Sequence, residues 1–126
     1  MARILIVESD FLRAVNLQTL LSEHGNTVCG IAHTAEQGIS LAASKEPDVV
    51  VMGVKLSDQS DVFETAKRIK ETRSCSLIFL TGYSDSEILG RLEALSPIAV
   101  LVKPAAREAV IEAVGRSILQ RAGGRW

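Results

Sequence analysis

Apolar residues cluster in short runs at residues 4–7, 27–32, 49–52, 77–81 and 99–102, and between the runs apolar positions recur with helical spacing. Short apolar runs alternating with helical periodicity are the pattern of a parallel sheet whose crossovers are helices. The first, third, fourth and fifth runs are nearly continuous in Val, Ile and Leu, which predicts central strands covered on both faces. The expected architecture is a doubly wound sheet.

The helical stretches carry start and stop signals. Leu12, Val15, Leu20 and Leu21 share one apolar face, and this segment stops at His24-Gly25, a dipole-complementing side chain followed by a left-handed cap. Thr34-x-x-Gln37 opens the second helix and Ser84-x-x-Glu87 the fourth, both as capping boxes. Val110, Ile111, Val114, Ile118 and Leu119 form the core stripe of the last helix, with Arg107, Glu108, Glu112, Arg116 and Arg121 outside it. No linker interrupts the series, so residues 1–121 are expected as one domain. Gly123-Gly124-Arg125-Trp126 is expected to break the helix, leaving a flexible tail at 122–126.

Composition narrows the function. The chain has 126 residues, 14 Lys+Arg against 15 Asp+Glu, and a net charge of −1. A chain of this mass buries about two-thirds of its unfolded surface, enough for a core without disulfides or metal. Near-neutral charge without a basic run, and aromatics scattered singly, leave no footprint for nucleic acid. The apolar runs are far shorter than the ~20 residues that span a bilayer, and residues 4–7 are too short for a signal-peptide core. The expectation is a cytoplasmic protein without membrane contact. Cys29 and Cys75 lack any CxxC pairing and read as reduced packing cysteines. His24 and His33 lack Cys or His neighbours at ligand spacing and read as solvated.

In an open parallel sheet, chemistry collects beyond the carboxyl ends of the strands. There the chain places Glu8-Ser9-Asp10, Gly53-Val54-Lys55, Thr81-Gly82-Tyr83 and Lys103-Pro104. Acid, hydroxyl and lysine converge.

Arg3-Ile4-Leu5-Ile6-Val7-Glu8, Pro47-Asp48-Val49-Val50-Val51-Met52, Phe79-Leu80-Thr81-Gly82-Tyr83 and Leu101-Val102-Lys103-Pro104 resemble the landmark segments of the receiver domain of two-component response regulators, in order and with the family's spacing. The resemblance implies a flavodoxin-like fold: a doubly wound, five-stranded parallel sheet in order 2-1-3-4-5 with five helices. In that family an aspartate ending the third strand takes a phosphoryl group from a sensor kinase and forms an acyl phosphate. Acidic residues after the first strand hold Mg²⁺, which neutralises the transferring group. A hydroxyl after the fourth strand and a lysine after the fifth bind the phosphoryl oxygens. By resemblance Glu8 takes the first acidic position, Thr81 the hydroxyl, Gly82 the small residue beside it and Lys103 the lysine. Lys103-Pro104 fits the family's cis peptide.

The departures define a vestigial phosphorylation site. Gly53 stands where the family has its phosphoacceptor and offers no nucleophile. Ser9 replaces the second acid; Asp10 follows, at a position that commonly begins the first helix and points away from the metal. Lys55 lies where a backbone carbonyl would meet Mg²⁺, and its ammonium can swing towards Glu8. No cofactor is expected, and Mg²⁺ affinity should be weak or absent. Val100 replaces the aromatic that rotates inward in many receivers. Residues 79–83 differ only at Leu80 from the Phe-Ala-Thr-Gly-Tyr motif of a stand-alone subgroup, making Tyr83 the candidate mobile aromatic.

At this point alternatives stand. Glu8 and Lys103 either pair with each other or retain a ligand-binding role. Thr81 is either a switch or an ordinary strand-end hydroxyl, and Gly53 either a drifted turn residue or space for a small ligand. The leading expectation is a non-enzymatic, single-domain pseudo-receiver without an output domain, acting by protein–protein binding. Its partner would be a sensor histidine kinase or a downstream signalling protein, and the face made by the fourth helix, fifth strand and fifth helix would serve targets or a homodimer. The competing expectations are a phosphorelay receiver with a displaced acceptor, Asp10 or Asp58, and a small α/β ligand-binding protein using the same crevice.

Overall fold

The computed structural model describes residues 2–54, 61–82, 86–104 and 107–123, with side chains through residue 120. Strands β1 (Arg3–Val7), β2 (Thr27–Ala32), β3 (Val49–Gly53), β4 (Ser76–Thr81) and β5 (Ala99–Val102) alternate with helices α1 (Phe11–Glu23), α2 (Ala35–Lys45), α3 (Val62–Thr72), α4 (Ser86–Glu93) and α5 (Arg107–Gly123). The strands form one parallel five-stranded sheet in order β2-β1-β3-β4-β5. This is the flavodoxin-like, doubly wound architecture expected from the sequence.

The pleat sorts the apolar runs onto two faces. Leu5, Val7, Val50, Met52, Leu77 and Phe79 meet Ala35, Ala42, Val62, Ala66, Ile69 and Leu92 from α2, α3 and α4. Ile4, Ile6, Val49, Val51, Ile78 and Leu80 meet Ala14, Leu20, Leu21, Val110, Ala113 and Val114 from α1 and α5. Gly38 lets α2 lie close to the sheet: a Cβ there would meet Val7 Cγ2 at 3.3 Å.

Side chains set where helices begin. Asp10 caps α1 by accepting from Arg13 N (3.1 Å), and Asp61 caps α3 by accepting from Phe63 N (2.8 Å) and Glu64 N (3.3 Å). Thr34 caps α2 by accepting from Gln37 N, but the Gln37 side chain reaches back to the amide of His33 rather than that of Thr34. The helix end at His24-Gly25 is as read, with Gly25 at φ 83° and the His24 ring against the carbonyl of Leu20. Ser84 lies outside the described residues.

Several sequence expectations require correction. The fifth strand is not central: β5 is an edge strand, half-buried, with Val102 42% exposed. Leu12 and Leu119 are exposed rather than in the core. The inward stripes are Ala14, Leu17, Leu20 and Leu21 on α1, and Val110, Ala113, Val114 and Ser117 on α5, with the predicted Ile111 and Ile118 packed partly buried beside them. Helix α5 also continues through Gly123, which therefore does not break it; residues 124–126 lie outside the described set.

Candidate functional site

Register assembles the site. In the β1–β3 ladder Val7 stands beside Met52, so the next step brings Glu8 beside Gly53. Gly53 pairs with Leu80 on β4, and Thr81 pairs with Val102 on β5, whose successor Lys103 donates its amide to Thr81 O at 2.7 Å. Glu8, Gly53, Thr81 and Lys103 thus share one end of adjacent strands, and Glu8 and Gly53 flank the place where strand order reverses.

Glu8 dominates the geometry. It is 2% exposed, and its Oε1 faces Lys103 Nζ at 3.6 Å. Its Oε2 accepts from Asp10 N at 3.0 Å and from Ser9 Oγ at 3.4 Å. The carboxylate lies over Gly53: a Cβ built there would stand 3.0 Å from Oε1 and 3.3 Å from Cδ. Glu8 therefore fills the volume that a side chain at position 53 would enter.

The remaining predicted residues divide clearly. Thr81 is fully buried at the strand end, and among the described residues, its chain neighbours aside, no heavy atom lies within 4 Å of the place a Cβ on Gly82 would take. Val100 is half-buried, paired with Phe79 and packed on the α2–α4 face. The Lys103-Pro104 peptide is cis. The Asp10 carboxylate is turned to the amide of Arg13, away from Gly53. Lys55, Asp58 and Tyr83 lie outside the described residues.

His33 was expected in solvent and is instead half-buried, with Nδ1 2.8 Å from the carbonyl oxygen of Glu8 and its ring 5.9 Å from that of Phe11. It follows β2, the neighbour of β1, so the strand order itself was the signal that could have found it. Cys29 is half-buried and its Sγ contacts Ile4 O. Burial pushes its thiol pKa up while Arg3 pulls it down, an environment for packing rather than nucleophilic chemistry.

Acid, hydroxyl and lysine thus meet at one end of a doubly wound parallel sheet. The family model for the response regulator receiver domain matches residues 4–115, and the chain belongs to that family. It is a receiver domain of two-component signalling. The transcriptional regulatory protein PdtaR of Mycobacterium tuberculosis is 30% identical over 112 residues, covering 89% of this chain and 54% of the relative. The phyllosphere-induced regulator PhyR of Methylorubrum extorquens is 32% identical over 102 residues, covering 80% and 38%. The chain therefore spans about half or less of these relatives' lengths. The signal receiver domain of a modulated diguanylate cyclase from Desulfovibrio desulfuricans superposes with a TM-score of 0.88 at 27% identity over 97% of each chain.

The family implies Mg²⁺, which requires near-octahedral oxygen ligands. Among the described residues no group of three or more acidic, His or Cys side chains is placed to hold a metal. One oxygen of Glu8 faces an ammonium and the other an amide N–H. The described residues do not fit that cation.

Proposed function

We propose that this receiver signals without accepting a phosphoryl group, as a pseudo-receiver that acts by binding a protein. The observation that supports it most directly is the Glu8 carboxylate lying over Gly53 and facing Lys103. An acyl phosphate needs a carboxylate nucleophile aimed at the incoming group. Position 53 has none, and the nearest carboxylate is buried and already engaged. The displaced-acceptor reading is weakened at Asp10, whose carboxylate is committed to capping α1.

The output is a protein contact, with a sensor histidine kinase or a downstream signalling protein as partner and no catalytic step in the chain. PdtaR and PhyR are both named as regulators, which suits a signalling role for this relative. The proposed contact face is α4, β5 and α5, where the edge strand leaves Val102 exposed for a target or a second copy. Among the described residues no helix is long and apolar enough to cross a membrane.

Acetyl phosphate with Mg²⁺, read by intact mass, tests the reading. The wild-type chain should gain no hydroxylamine-sensitive phosphoryl adduct, whereas the Gly53→Asp, Ser9→Asp double replacement should gain one. An adduct on the wild type at any carboxylate would overturn the proposal.

A further inference from the structure

A cleft of about 790 Å³ opens between α1 and α5 beside the strand ends. That volume is in the range that holds a small organic molecule. Leu17, Leu20, Leu80 and Val110 supply apolar lining, and Arg13, Lys103 and Arg107 supply cations. Two acids share the cleft, and each is matched to one of these cations: Glu8 to Lys103 at 3.6 Å, and Glu23 to Arg107 at 3.7 Å. Arg13 has no ion-pair partner among the described residues; its backbone amide, not its guanidinium, is what Asp10 engages. Among the described residues the cleft thus carries one cation in excess over an apolar lining.

We propose that this cleft is a binding site for a small amphipathic monoanion, a carboxylate on an apolar body of a few carbons to a single ring. The head group would meet the Arg13 guanidinium and Lys103 Nζ, and the body would lie along Leu17, Leu20 and Val110. Arg offers a planar donor fork matched to a carboxylate. The Lys103 ammonium carries three N–H donors and its side chain is partly exposed, so it can meet a new anion while still facing Glu8 at 3.6 Å. A polyphosphate is disfavoured because one excess charge cannot neutralise it and no glycine-rich loop cradles it. A cationic ligand is disfavoured by the excess positive charge. Because Glu8 and Lys103 belong to both places, occupation of the cleft would be felt at the strand ends. The site goes beyond the proposed phosphate-free signalling, and either can hold if the other fails.

The test is a titration of the full chain with octanoate below its micelle concentration, followed by amide and methyl NMR. Acetate and octylamine at matched ionic strength serve as controls. Saturable shifts are expected at Leu17, Leu20, Leu80, Val110 and Lys103. Acetate, which lacks the body, and octylamine, which reverses the charge, should each bind about tenfold more weakly or worse. Arg13→Gln changes an exposed side chain and should weaken octanoate about tenfold while leaving the free spectrum otherwise intact. Absence of saturable shifts, equal binding of octylamine, unchanged affinity in Arg13→Gln, or shifts confined to exposed Phe11, Leu12 and Leu119 would each overturn the proposal.

Discussion

Glu8 and Gly53 are coupled through space that only one of them can occupy. Replacing Gly53 by Ala restricts the unfolded chain, worth about 0.4–1 kcal/mol in favour of folding. It also pushes on a buried carboxylate that accepts from Asp10 N and Ser9 Oγ, and hydrogen bonds to a charged group are worth about 1.5–3 kcal/mol. The second effect is larger, so Gly53→Ala should lower urea-unfolding stability by about 1 kcal/mol. In a Glu8→Ala background the clash is gone and the same replacement should be neutral or stabilising. An identical cost in both backgrounds would remove the coupling. The ion pair should also be asymmetric. Lys103→Met strands a buried carboxylate and should cost about 3 kcal/mol, whereas Glu8→Gln leaves an ammonium with access to water and should cost about 1 kcal/mol. Much of this was legible from residue type, since Glu8 and Lys103 had each lost a family partner. The fold of Glu8 over Gly53 was not, because it depends on a side-chain rotamer and on strand register.

Helix stability rests on caps and on stripes of small residues. Asp61 accepts two amide hydrogen bonds at the start of α3, and Asp61→Ala should cost about 1 kcal/mol by thermal or urea unfolding. Ser117 is fully buried on α5, and its hydroxyl has no hydrogen-bond partner among the described residues. Ser117→Ala should therefore raise stability by about 1 kcal/mol, and a loss of that size would show that the hydroxyl is satisfied. Ser117 also shows why the α5 stripe was misread. Periodicity weighted by large apolar side chains selects Leu119 and passes over Ala113 and Ser117, yet small residues let the helix approach the sheet. The same weighting placed Leu12 inside on α1 at the expense of Ala14. Caps were easier to read, because Asp or Thr before a helix acts through local bonds. The apolar run alone read β5 as central, because a run does not say how many neighbours a strand has; its edge position was implied only by the strand order of the receiver resemblance.

At the scale of the molecule, strand order turns scattered sequence segments into one site. The alternation of runs and helices was enough to read the doubly wound sheet, and the receiver resemblance supplied its order. The near-zero net charge was silent on how the acids are placed. What matters is that, among the described residues, one buried carboxylate stands at the junction of β1, β3, β4 and β5 and faces a lysine. The central claim is that this end of the sheet is locked in a phosphate-free arrangement. Amide NMR with Mg²⁺ and beryllium fluoride, which mimics a phosphoryl group on a receiver carboxylate, tests it most directly. The spectrum near Thr81 and Lys103 should not move as the reagents are added; saturable shifts at those amides would contradict the account.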